Sequence, residues 1–219
     1  MFDWDGSPAS AIALQRQLAS RVIRENRWSR ITTVAGVDVS IRGDMGRAAG
    51  VVLSYPALAV VDYTVAARPV DRPYVPGLLS FREGPLILAA LERLATRPDV
   101  LIIDGHGLAH PRRLGIASHI GVLLDLPTIG CAKSRLCGRY QEPGLARGSW
   151  EPLLDGAEVI GAVLRTRAGV RPIFVSIGHR VDLPASIEVV LNCCRGYRLP
   201  ETSRWAHRLA GGEKPAVTA

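Results

Sequence analysis

Between residues 8 and 25 the apolar positions Ile12, Leu14, Leu18, Val22 and Ile23 fall close to helical period. Ser7 and Pro8, an N-cap and a first-turn proline, stand just ahead of them and predict where that helix starts. Three extended runs follow at 34–40, 48–55 and 58–66. Arg42-Gly43-Asp44-Met45-Gly46 and Tyr55-Pro56 punctuate them, so they read as an antiparallel meander. Residues 69–77 carry three prolines and predict a stiff surface loop. A helix is expected over 80–97, with Ser80 capping it and Glu83 completing a capping box.

From residue 100 the pattern changes. Val100-Leu101-Ile102-Ile103 is apolar without alternation, as in a strand covered on both faces, and it ends at Asp104. A loop rich in Gly and His precedes a helix over 115–124 and a strand beginning at Thr128. Further strands are expected at 159–164 and 172–177, closing helices at 184–194 and 201–209, and a frayed tail at 211–219. A meander followed by parallel strand–helix units makes an α/β protein, a mixed sheet flanked by helices. No internal repeat or linker-like shift divides it, so residues 1–210 are expected to form a single domain.

Composition narrows the class. The chain has 219 residues, 47% hydrophobic and 21% charged, which excludes disordered, collagen-like and coiled-coil proteins and permits a core without disulfides. Of the four cysteines no pair has metal or redox spacing, and the adjacent Cys193 and Cys194 would bridge only with strain. Residues 1–8 lack the order of a signal peptide and every apolar run is broken by a charge, so a soluble cytoplasmic protein with no membrane association is expected. A monomer is the default. With 27 Lys and Arg against 20 Asp and Glu the net charge is +7, a bias toward polyanionic partners such as nucleic acid.

Against that background, the carboxylates inside apolar runs stand out. Asp38 lies within Val37-Asp38-Val39, Asp104 ends the most apolar strand, and Glu83 enters a helix after a loop of Pro and Gly. Buried carboxylates are costly unless paired or metal-bound. Three of them in a basic chain suggest hard-cation ligation and phosphodiester hydrolysis. Each has an ordinary alternative: solvent exposure on an edge strand for Asp38, a turn for Asp104, the capping box for Glu83. His106 and His110 leave open a histidine-bearing metal site with Asp104. Lys133, just past a strand end, suits a phosphate oxygen or plain solvent exposure. His119 reads as structural, and His179 fits either role. No Walker-type loop is present, which excludes an ordinary NTPase. Prolines in Arg72-Pro73-Tyr74-Val75-Pro76-Gly77 would present Tyr74 rigidly, either as a wedge into a base stack or against its own domain.

Together these segments resemble the endonuclease V family of inosine-specific repair nucleases, which has an RNase H-like fold. The matches run in order: VAGVDVS at 34–40, RPYVPGLLSFRE at 72–83, DGHGLAHPRRLGIASHIG at 104–121 and TIGCAKSRLCG at 128–138. EPG at 142–144, VIGAVLRTRAGVRPIFVSIGHRVDL at 159–183 and YRLPETSRWAHRLA at 197–210 complete the series. The resemblance implies that Asp38, Glu83 and Asp104 bind Mg2+, or Mn2+ in its place. It implies that Lys133 meets the scissile phosphate, and that His207 stands near the metal. Tyr74, with Pro73, Val75 and Pro76, would separate the strands, and His110 would touch the substrate strand. Gly77, Leu79, Gly105, Gly115, Ile116 and Leu136 would hold hypoxanthine. Cys131 replaces an expected aliphatic residue.

The resulting expectation is a Mg2+-dependent deoxyinosine endonuclease that cuts the second phosphodiester 3′ to the lesion, leaving 3′-hydroxyl and 5′-phosphate ends. The alternatives are the same chemistry on inosine in RNA, a lesion-binding module that no longer cuts, and a small-molecule phosphoesterase using Asp104, His106 and His110.

Overall fold

The computed structural model describes residues 5–70 and 73–213; Arg72 of the loop motif and the expected tail from 214 lie outside them. Eight strands form one sheet in the order β3-β2-β1-β4-β5-β8-β7-β6. β1 (Thr33–Arg42), β2 (Met45–Ser54) and β3 (Val60–Pro69) make the expected antiparallel meander. β4 (Val100–Ile103) pairs parallel with β1, and β5 (Thr128–Ala132) parallel with β4. Parallel pairing is confined to these three strands: β8 (Ile173–His179), β7 (Glu158–Leu164) and β6 (Trp150–Asp155) continue antiparallel.

The sheet is covered on both faces, which is why β4 has no polar side. One face packs Val34, Ile102, Ile129 and Val175 under α4 (Leu183–Asn192) and α5 (Glu201–Gly211). The other packs Ala35, Val37, Leu101 and Ile103 under α2 (Leu79–Leu91) and α3 (Ile116–Leu124), with α1 (Pro8–Ala19) resting on α3. At Gly36, α5 crosses so closely that an added Cβ would lie 2.3 Å from the Thr202 carbonyl oxygen. The missing side chain lets the last helix lie directly on the central strand. Among the described residues no helix is long and apolar enough to cross a membrane.

Several boundaries differ from the sequence expectation for identifiable reasons. α1 opens at Pro8, with Ser7 Oγ accepting from Ser10 N at 3.1 Å, but ends at Ala19 rather than near 25. Beyond it the main chain of Ile23 is claimed elsewhere: its N–H donates to His179 Nδ1 (3.2 Å) and its carbonyl accepts from Arg180 N (2.7 Å). His179 thus has a structural contact. The expected capping box at Ser80 is absent. α2 begins at Leu79 with Leu78 as an N-cap making no side-chain bond, while Ser80 Oγ pairs with His119 Nδ1 at 2.9 Å. α2 also stops at Leu91, short of 97. β3 starts at Val60, because Leu58 sits in the turn with φ 62°. α5 runs through Gly211, capped by Gly212 at φ 110°, so the tail begins later than 211. β6, carrying Pro152 on the sheet edge, was not expected.

Candidate active site

The parallel register of β1 and β4 sets Val37 beside Ile103, so the next residues, Asp38 and Asp104, emerge as neighbours on one face. Adjacent strands stand about 4.8 Å apart, close enough for strong coupling. β1 is an inner strand of the sheet, which excludes the edge-strand alternative for Asp38. With Ser80 committed to His119, no capping box holds Glu83, and its carboxyl faces the two aspartates. Burial, reinforced by the charge of Asp38 and then Asp104 and opposed by Arg82, pushes Glu83 up to about 7. Asp104 is also raised by burial, which outweighs the lowering influence of Lys133.

A lysine and a histidine border this cluster. Lys133, just past β5, places Nζ 2.5 Å from Asp104 Oδ2. Burial works to lower Lys133, but Asp104 more than compensates and its pKa is raised. From α5, His207 Nδ1 lies 2.9 Å from Asp38 Oδ2. Among the described residues no three His, Cys, Asp or Glu side chains form a ready metal cage. The donor chemistry nevertheless fits a hard divalent cation: three carboxylates crowd together, and burial, reinforced by the charge of the other two, raises Glu83 to about 7. His106 and His110 do not join this cluster. His106 Nε2 bonds the Ser134 carbonyl oxygen (3.0 Å), and His110 is turned to the wall of the cleft.

Beside the carboxylates opens a cleft of about 400 Å³. It is lined by Tyr74, Gly77, Leu79, Gly105, His110, Gly115, Ile116 and Leu136, and Asp104 and Lys133 close one end. All six residues expected to form the base pocket therefore stand together. Tyr74 is 57% exposed, free to meet a partner. Pro73, Val75 and Pro76 do not line the cleft; Val75 packs toward Ala11, Leu78 and Phe81 and fixes the loop from beneath.

His110 is 2% exposed and its tautomer follows from its bonds. Nδ1 accepts from Arg112 N (3.1 Å), so Nε2–H donates to the Gly77 carbonyl (3.0 Å). Burial first, then the nearby Arg112 charge, lowers its pKa to about 4. The Gly77 oxygen also accepts from Arg112 Nη2 (2.8 Å) and Gln15 Nε2 (2.9 Å). At φ 79° Gly77 sits where side chains are strained, and an added Cβ would fall 2.8 Å from Arg112 Nη2. Sequence reasoning missed Gln15, Arg112 and Arg198. The last ties the α4–α5 loop to the Lys133 carbonyl at 2.7 Å. Cys131, Cys193 and Cys194 are buried free thiols.

The chain is similar to known proteins over nearly its whole length. The endonuclease V family model matches residues 16–208. Endonuclease V of Roseiflexus sp. (strain RS-1) is 58% identical over 207 residues, 94% of this chain and 93% of that one. The crystal structure of endonuclease V from Streptomyces avermitilis superposes with a TM-score of 0.90 at 47% identity, covering 95% and 93% of the two chains. Ciona intestinalis endonuclease V, in complex with a 24mer DNA containing an inosine followed by a ribo-adenosine, gives a TM-score of 0.82 at 29% identity over 93% and 95%.

Proposed function

The chain belongs to the endonuclease V family of nucleases, and from that premise we propose that it is a metal-dependent endonuclease acting on deoxyinosine in DNA. It hydrolyses the second phosphodiester 3′ to the lesion, leaving 3′-hydroxyl and 5′-phosphate ends. One observation carries this reading: the glycine-lined cleft and the Asp104–Lys133 pair open into one cavity. A base turned out of the helix and a phosphate of its own strand then bind side by side.

Asp38, Glu83 and Asp104 would hold Mg2+, or Mn2+ in its place. A cation so held supplies neutralisation of phosphate charge and an acidified water ligand. Lys133 sits where it stabilises the charge that develops on the phosphate oxygens. His207 orients Asp38. Tyr74 fills the gap left by the extruded base, and the neutral His110 holds the loop that presents it. Hypoxanthine offers an O6 acceptor and an N1–H donor, the reverse of adenine, and the glycines of the cleft let main-chain groups approach that edge closely. Leu79, Ile116 and Leu136 close the pocket against the 2-amino group of guanine.

The test is cleavage of end-labelled duplexes carrying one deoxyinosine, with Mg2+ or EDTA, beside a matched RNA containing inosine. The RNA arm is warranted by the ribo-adenosine that follows inosine in the Ciona complex. Metal-dependent cutting of the DNA one nucleotide past the lesion supports the reading, and cutting of RNA alone moves the same chemistry to RNA. Tight binding without cutting of either would make the protein a lesion reader.

A further inference from the structure

Gln15 is a polar residue on the buried side of α1, between Ala11 and Leu18, and is only 1% exposed. Both N–H donors of its carboxamide and its oxygen are engaged. Nε2 donates to the Gly77 carbonyl (2.9 Å) and to the Leu114 carbonyl (3.2 Å), and Oε1 accepts from Arg112 Nε (2.6 Å). Turning the amide over would set its oxygen against two carbonyl oxygens, so only one orientation is satisfied. Gly77 lines the cleft, and Leu114 directly precedes Gly115, which lines it too. One buried side chain from a third element therefore ties two separate segments of the cleft lining together. Arg112, held by the same amide, adds its own bond to Gly77.

We propose that Gln15 sets the width of the base-binding cleft and is a positioning residue for discriminating hypoxanthine from guanine. The inference deepens the deoxyinosine reading and rests on it. Guanine presents the same O6 and N1–H edge and differs by the 2-amino group, so a pocket that excludes it must resist widening by the size of that group. Polar ties between the two segments supply that resistance, whereas apolar contacts between Leu79 and Ile116 would let the segments slide.

Two variants test this. Gln15→Leu removes all three bonds. Gln15→Glu keeps the size and the acceptor for Arg112 but loses both donors to the two segments. Binding of oligonucleotides with deoxyinosine or deoxyguanosine at one position is measured in EDTA, where cutting is not needed, and the affinity ratio does not depend on the folded fraction. The ratio is expected to fall about tenfold in both variants, as loss of buried hydrogen bonds implies. The kcat on saturating deoxyinosine stays within about twofold and KM rises. An unchanged ratio in both variants overturns the proposal, as does a fall in kcat with the ratio preserved. A wild-type protein with no inosine preference would instead remove the reading on which it stands.

Discussion

Acid should loosen the loop that carries Tyr74, and the size of the effect follows from His110. Its imidazole is neutral in the fold, with Nδ1 accepting from Arg112 N and Nε2–H donating to Gly77. Protonation removes the acceptor and sets a cation beside the Arg112 guanidinium. The folded pKa is about 4 against 6.5 for the free group. The folded value is the depressed one, so the stabilisation is complete above pH 6.5 and is lost as pH falls toward 4. At pH 5 the unfolded imidazole is about 97% protonated and the folded one about 9%. Integrated between pH 7 and 5, this costs about 2 kcal/mol. His119, likewise lowered to about 4 by burial, contributes a similar loss. Against a total stability of about 5–15 kcal/mol these losses are readily measured. Urea unfolding followed by tryptophan fluorescence at pH 7 and pH 5 gives the difference directly. His110→Gln, which cannot titrate, should show a drop smaller by about 2 kcal/mol than the wild type. Equal drops in the two proteins would refute a neutral buried His110.

Three further outcomes are expected. Asp38→Ala and Asp104→Ala should abolish cutting while leaving binding to a deoxyinosine duplex in EDTA within about threefold; retained cutting in both would remove the carboxylate assignment. Tyr74→Ala should weaken lesion binding by about 1–3 kcal/mol in an anisotropy titration and leave single-turnover cutting of the bound complex unchanged. An unaltered binding constant would argue against the wedge. Gly36→Ala drives a methyl into the Thr202 carbonyl and should destabilise the fold by about 1–3 kcal/mol. Scanning calorimetry would show this as a Tm lower by several degrees, and an unshifted Tm would mean α5 does not press on β1 there.

The parts of this protein legible in its sequence were those governed by local rules. An uninterrupted apolar run gave β4, and Pro with Gly marked the loop before α2. Charges lodged in apolar surroundings pointed to Asp38 and Asp104 before any contact was known. What failed were positions decided by distant partners. The Ser80–Glu83 spacing satisfied the capping pattern, yet His119, 39 positions away, takes the Ser80 hydroxyl. α1 stops early because the main chain at Ile23 bonds to the end of β8, 156 residues on. β6 was hidden because an edge strand with Pro152 lacks both alternation and continuous hydrophobicity. Nothing in the sequence singles out Gln15, since its partners at Gly77 and Leu114 lie 62 and 99 positions away. Backbone carbonyls leave no signature in side-chain identity.

The crossing of α5 over Gly36 bears on the order of assembly during synthesis. His207 reaches Asp38 across 169 positions, so the imidazole arrives only after the rest of the sheet has been made. Chains emerge and fold from the N-terminal side, and contacts of such long span form late. A nascent or prematurely terminated chain that lacks α5 presents Asp38 and Asp104 without His207. It also leaves bare the strip of β1 and β2 that this helix covers. An unfinished copy is thereby marked by exposed apolar surface, which chaperones and proteases engage, at the same stage at which Asp38 lacks its His207 partner. Quality control and completion of the site thus depend on one helix.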